Sequence, residues 1–153
     1  MAESEFVYVT YIRTTPEKLW QALIDPEFTP KFWAGTHQEC DWKIGSPWKI
    51  VVPDGRTADS GEVLEIDPPH RLVLTWQNHL FPDLNREGFS RLSYELKAQG
   101  STVKLTVTHT MERKDSQLVK AVSSGWPQIL ASLKSLLETG QSLEGTDRWP
   151  EGV

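Results

Sequence analysis

Two hydrophobic periods divide this chain and leave few folds open to it. From Gln38 to Thr110 apolar residues recur at every second position, and from Ser116 to Glu138 they recur with helical spacing. Trp48, Ile50 and Val52 alternate with Lys49 and Val51; Leu72, Leu74 and Trp76 alternate with Arg71, Val73 and Thr75. Leu92, Tyr94 and Leu96 alternate with Arg91, Ser93, Glu95 and Lys97, and Val103, Leu105 and Val107 alternate with Thr102, Lys104, Thr106 and Thr108. This pattern predicts antiparallel strands with one face on a core and the other in water. Thr57–Asp67 reads as a further strand, with Gly61 as a bulge, and Asp54-Gly55, Pro68-Pro69 and Gln99-Gly100 as breaks between strands. Trp42 is assigned to an early strand.

Ahead of this region, Phe6–Arg13 is β-branched and aromatic and reads as a first strand. Thr15 as N-cap and Pro16 at the first helical position then start a short helix, Pro16–Ile24, with Leu19, Trp20, Leu23 and Ile24 on one face. Pro26–Trp33 predicts a second short helix or turn, with Phe28, Phe32 and Trp33 inward. In Ser116–Glu138, Leu118, Val122, Ile129, Leu133 and Leu136 form a stripe widened by Trp126, Leu130 and Leu137, and Gly140 stops the helix. Pro127 is expected to kink or delay that helix near Ser123–Gly125.

A sheet with one apolar face must bury that face, and the only sizeable partner here is the C-terminal helix. Seven strands laid flat would span ~29 Å against a helix ~10 Å thick, so the sheet must curl around it. The expected class is α+β: a curved antiparallel sheet of about six or seven strands wrapped around one long helix, with two short helices after strand one. A curled sheet gripping one helix readily leaves a gap between them. One domain over residues 1–140 and a polar tail over residues 141–153 account for the 153-residue length.

Charge and composition narrow the partners. With 16 basic and 21 acidic residues, net charge −5 and no basic run, no nucleic-acid backbone or anionic membrane is expected to bind. No apolar run reaches the ~20 residues of a membrane helix. The acidic start MAESEF lacks a secretion-signal core, and the lone Cys40 cannot form an internal disulfide, so a cytoplasmic location is expected.

Several segments resemble a known family. Thr15-Pro16-Glu17-Lys18-Leu19-Trp20 with Ala22-Leu23, Asp25-Pro26-Glu27 and Phe32-Trp33 resembles the opening of the activator-of-heat-shock-protein-90-ATPase-like proteins of the START-like (SRPBCC) superfamily. Gly61–Pro69 with Arg71-Leu72 and Thr75-Trp76, then Leu105–Thr110, and Gly125-Trp126-Pro127 with Leu130, Leu133 and Leu137–Gly140 extend the resemblance from about Phe6 to Gly140. It implies a helix-grip fold with a hydrophobic cavity between sheet and long helix. The chemistry stays open, because related domains carry lipids, bind hormones, cyclise polyketides or assist a chaperone.

The residues placed to line such a cavity are Phe32, Trp33, Trp48, Ile50, Trp76, Tyr94, Val107, His109, Trp126, Ile129 and Leu130. Each taken singly is equally a core residue packed at ordinary density. His109 continues the inward alternation of Val103, Leu105 and Val107 and could serve as hydrogen-bonding group or base, with Tyr94 or Arg91 as polar partners; its plainer role is a satisfied core histidine. His37 and Cys40 have a loop-like spacing too sparse for a metal site, and Glu65 with Asp67 falls on the outward face beside inward Leu64 and Ile66. No nucleophile elbow, phosphate loop or dinucleotide fingerprint is present, so no catalytic residue, metal or cofactor is assigned. The loop Asn78–Gly88 carries Phe81 and Leu84, which suit a lid over the cavity or a homodimer contact, and Trp149 in the tail invites the same question. The leading expectation is a binder of a small hydrophobic or amphipathic molecule; a chaperone-associated interaction module and a cyclase- or hydrolase-type enzyme are the alternatives.

Overall fold

A computed structural model describes residues 2–153. Strand β1 (Ser4–Ile12) is followed by helix α1 (Pro16–Ile24), a 3-10 turn (Thr29–Lys31) and strands β2 (His37–Cys40), β3 (Pro47–Val51), β4 (Thr57–Asp67) and β5 (Arg71–Asn78). A one-turn helix α2 (Pro82–Asn85), strands β6 (Ser90–Gln99) and β7 (Thr102–Met111) and helix α3 (Gln117–Thr139) complete the chain. The strands form one antiparallel sheet in the order β1-β7-β6-β5-β4-β3-β2. This is the α+β helix-grip architecture, with β1 joining the far end of the meander.

Local chemistry sets the helix ends. The Thr15 hydroxyl accepts from the Lys18 amide at 3.2 Å with Pro16 beside it, and the Ser116 hydroxyl accepts from the Val119 amide at 3.1 Å. Gly140, at φ +84°, closes α3 in the left-handed conformation that a glycine adopts without steric cost. Pro127 neither delays nor divides α3, which runs unbroken from Gln117; the proline removes only the amide that would have reached the Ser123 carbonyl.

Helix α3 lies along β1 and is tied to both its ends. The Ser116 amide donates to the Ser4 hydroxyl at 3.1 Å, Lys134 Nζ donates to the Tyr11 carbonyl at 2.6 Å, and the Arg13 amide donates to Glu138 Oε2 at 2.8 Å. The Lys134 bond satisfies a carbonyl of edge strand β1, which has no further strand to pair with, and the Glu138 bond satisfies the amide just beyond its end. Ile12, Leu19, Phe32, Val103, Leu105, Leu130 and Leu133 belong to a single core cluster between sheet and helices.

The sheet departs from strict alternation in ways that matter for the site. The β4–β5 register shifts between Val63 and Glu65, making Leu64 an extra residue. A bulge exchanges the two faces of a strand, so Asp59, Gly61 and Val63 face the core although Glu65 and Asp67, of the same parity, face water. Gly61 is therefore not the bulge. Its role is close approach: a Cβ there would stand 1.9 Å from the Thr75 carbonyl oxygen. A second shift beside Ile50 leaves Val51 buried as well as Ile50 and Val52. Val73, on the outer face, is also fully buried, beneath ion pairs of Arg71 with Glu65 and Glu95 and of Arg91 with Glu65. Trp42 lies in the β2–β3 connection at φ +55° and not in a strand, whereas His37–Cys40 is the strand.

The tail folds back onto the domain. The Ala34 amide donates to the Thr146 carbonyl, the buried Ser132 hydroxyl pairs with Thr146 Oγ1 at 2.6 Å, and half-buried Trp149 packs against the core cluster. Among the described residues no helix is long and apolar enough to cross a membrane.

Candidate functional site

Four indoles meet where the sheet faces the first half of α3. Trp33 stacks on Trp76 at 6.1 Å between ring centroids, Trp126 meets Trp33 and Trp76 edge-on at 5.3 and 5.9 Å, and Trp48 lies 4.7 Å from Trp76. The rings come from the segment after the 3-10 turn, from β3 and β5, and from α3, so the cluster joins elements far apart in the chain. Such contacts add about 0.5–1.5 kcal/mol each beyond burial of the rings.

Each of the three central indole N–H groups has a side-chain acceptor, and this divides the cluster chemically. Trp48 donates to Gln38 Oε1 at 2.8 Å, and Gln38 in turn donates to the Leu23 carbonyl. Trp126 donates to His109 Nδ1 at 3.3 Å. With Nδ1 accepting, the neutral ring carries its proton on Nε2 and donates to Ser90 Oγ at 2.7 Å, and that hydroxyl donates to the Trp76 carbonyl at 3.1 Å. Burial pushes the His109 pKa down to about 3, so the imidazole stays neutral across the physiological range. His109 is thus a link in a closed hydrogen-bond chain. Tyr94 packs edge-on to Trp126 at 5.9 Å with its buried hydroxyl unpartnered, and burial raises its pKa.

Trp76 donates to a carboxylate: its Nε1 lies 2.9 Å from Asp59 Oδ1, and Asn78 Nδ2 donates to the same oxygen at 3.0 Å. Desolvation raises the Asp59 pKa to about 6 against the lowering effect of both donors. No basic side chain among the described residues forms an ion pair with it.

Asp59 borders an apolar cleft of about 210 Å³ between the ends of β4 and β5 and the N-terminal half of α3. Its helix side is the stripe Leu118, Ala121, Val122, Gly125, Trp126 and Ile129, which recurs with helical spacing. Ala121 and Gly125 leave the space unfilled, and a Cβ added at Gly125 would meet nothing within 4 Å. Trp33, Trp76 and Asn78 line the opposite side, and Phe81 and Leu84 stand at its rim. The rim is anchored by Glu87, whose nearly buried carboxylate accepts from the Ser116 hydroxyl and the Gln117 and Leu118 amides at 2.6, 2.7 and 3.2 Å. These donors, with Arg113 beyond, hold the Glu87 carboxyl below the usual carboxylate range although desolvation opposes them.

Of the residues singled out from sequence, Trp33, Trp76, Trp126 and Ile129 border this cleft. Phe32, Trp48, Ile50, Tyr94, Val107, His109 and Leu130 are not among its walls: all but Phe32, Trp48 and Ile50 lie on β6, β7 or α3, and every one is enclosed in the core. Arg91 projects from the opposite sheet face and pairs with Glu65 at 3.5 Å, so it does not join His109 and Tyr94. His37 bonds Glu39 at 2.9 Å, while Cys40 Sγ accepts from the Trp42 amide and pairs with Ser46 Oγ, both at 3.2 Å; they are not brought together. Sequence reading passed over Asp59, Asn78, Ala121, Gly125 and Glu87. The signal for Asp59 was present, since its parity matches Val63 once the bulge at Leu64 is placed.

Residues 13–138 match the family model for Activator of Hsp90 ATPase homolog 1-like protein. Among solved structures, a structural-genomics protein from Mesorhizobium loti is 25% identical at a TM-score of 0.75, covering 88% of this chain and 97% of that one. The Aha1 dimer from Colwellia psychrerythraea is 19% identical at a TM-score of 0.72, covering 91% and 99%. An HSP90 activator from Plasmodium falciparum is 24% identical at a TM-score of 0.70, covering 87% and 95%. No curated protein matches the sequence.

Proposed function

Because the chain belongs to the Activator of Hsp90 ATPase homolog 1-like family, whose fold is the helix grip, we propose that it binds a small hydrophobic or amphipathic molecule between the sheet and α3. The observation that carries this reading is the cleft lined by Trp33, Trp76 and Trp126, left unfilled at Ala121 and Gly125. Its 210 Å³ lies below the ~300 Å³ at which drug-sized pockets begin, so it suits one ring with a short substituent, or the end of a longer chain. Catalysis has no comparable support, since His109 is consumed in internal hydrogen bonds and Arg91 faces away. Native mass spectrometry of protein purified without denaturation tests the proposal. A retained small molecule supports it. No retained molecule, together with no thermal shift across a panel of aromatic and aliphatic compounds, overturns it.

A second reading is a protein-docking role, with a chaperone or a second copy as partner. Its specific support is the row Val7, Val9 and Tyr11, roughly half exposed on edge strand β1 where an apolar row in water is unfavourable. The family's description names an Hsp90 ATPase activator, and one structural neighbour is a dimer. Sedimentation of the isolated chain, and stimulation of an Hsp90 ATPase with and without Val9→Lys, separate the two partners.

A further inference from the structure

Among the described residues Asp59 is the one ionisable residue bordering the aromatic cleft, and no ion pair reaches its carboxylate. Both of its hydrogen bonds converge on Oδ1, from Trp76 and Asn78, and Oδ2 has none. Oδ2 is not among the fully enclosed unsatisfied atoms, which among the described residues are Thr29 Oγ1 and Tyr94 Oη, and Asp59 itself lines the cleft. A carboxylate in apolar surroundings with a free oxygen and no counter-ion is costly unless something supplies a donor, best of all a cation. Around it stand indole rings, whose faces attract cations by about 0.5–2 kcal/mol. Among the described residues that line the cleft there is no Lys, Arg or His; the basic Lys120 lines the adjoining hollow beyond Phe81, Leu84 and Ala121, so an anion in the cleft meets Asp59 without a counter-charge beside it.

From this juxtaposition of Asp59 with Trp33, Trp76 and Trp126 we propose that the cleft recognises the ammonium group of a small aromatic or aliphatic amine. The proposal rests on the ligand-binding reading above and names its ligand class. Asp59 Oδ2 accepts the N⁺–H, Trp76 and Asn78 hold the carboxylate in place through Oδ1, and the apolar body of the amine lies along Ala121, Gly125 and Ile129. Size agrees: a dry cavity of about 150 Å³ takes a benzene ring, and the remaining volume holds a two-carbon ammonium arm.

The test is a charge series of near-isosteric probes: 2-phenylethylamine, 2-phenylethanol and 3-phenylpropanoate. Each is titrated into ¹⁵N-labelled protein while the indole N–H resonances are followed. The expected result is saturable shifts at Trp33, Trp76 and Trp126 with little change at Trp149. Affinity for the amine should exceed that for the alcohol at least tenfold, with no saturation by the carboxylate. Asp59→Asn should reduce the amine to the affinity of the alcohol and leave the alcohol unchanged. Gly125→Leu, which fills the cleft, should abolish both. Equal or tighter binding of the alcohol to the unaltered protein overturns the amine assignment while the cleft reading stands. Amine binding that survives Gly125→Leu places it elsewhere and also overturns it. If none of the three probes shifts those indoles at millimolar concentration, both readings fall. Should Asp59→Asn not fold, the probe series on the unaltered protein and on Gly125→Leu decides.

Discussion

Along α3 the stretch Leu118–Ile129 borders an open cleft, whereas the next turn, Leu130–Leu133, turns a closed, fully buried face to the core. In the closed half Leu130, Ser132 and Leu133 are fully buried, and Lys134 and Glu138 clamp the helix to the edge of β1. In the open half the inward stripe is thinned by Ala121 and Gly125, and a one-turn helix rather than a strand forms the rim. Both halves keep the same period, so what separates them is side-chain bulk and what stands opposite. One half supplies stability and the other is left free to bind.

The largest expected effect breaks the closed half. Leu133→Ala removes a side chain with no exposed surface and should cost about 3 kcal/mol, lowering the melting temperature by about 6–12 °C, as read by calorimetry. A loss below ~1 kcal/mol would show that this half is not close-packed.

Next comes the anchor at the start of the open half. Glu87→Ala strips the Ser116, Gln117 and Leu118 donors of their acceptor and should cost about 2 kcal/mol at pH 7. Because the folded state lowers the Glu87 pKa, this contribution is complete above the ordinary glutamate range and fades as pH falls below about 4.3. Urea melts of the two proteins should therefore converge in acid; a constant gap would refute the linkage.

Asp59 should behave in the opposite sense. Its pKa is raised to about 6, so the native state binds more protons than the unfolded chain between about pH 3.9 and that value, and stability falls as pH rises through the window. Asp59→Asn should come close to the unaltered protein near pH 4 and exceed its stability by about 3 kcal/mol above pH 7. A destabilised variant at pH 7.5 would mean the carboxylate is compensated.

The smallest effect sharpens the contrast most directly. Gly125→Ala places a methyl in open space within a helix and should stabilise by about 0.5–1 kcal/mol while narrowing the cleft. Unchanged probe affinity in that variant would show that ligands do not reach this part of α3.

Much of this is legible in the sequence itself. Alternation gave away β3 and β5–β7, Thr15-Pro16 marked the start of α1, and Ser116 and Gly140 bracketed α3, because each signal is local backbone and side-chain chemistry. Trp33, Trp76, Trp126 and Ile129 could be nominated for the site because they lie on apolar stripes. Asp59 shares its parity with Val63 but also with outward Glu65 and Asp67, and only the paired sheet shows that the extra residue at Leu64 puts it on the Val63 side. Glu87 was equally hidden: its partners lie about thirty residues away, at a helix end it meets only after β6 and β7 have turned the chain back.

By itself, then, the sequence determined the two periods, the capping residues and hence a curled sheet gripping one helix. Periodicity and capping act within a few residues and survive any tertiary context. Only the tertiary structure decided which indoles pack on one another, which carboxylate stands unpaired beside them, and where α3 leaves room. Those outcomes depend on a bulge, on two small side chains facing a strand end and on contacts across the whole chain, and they exist only once the sheet has closed on the helix.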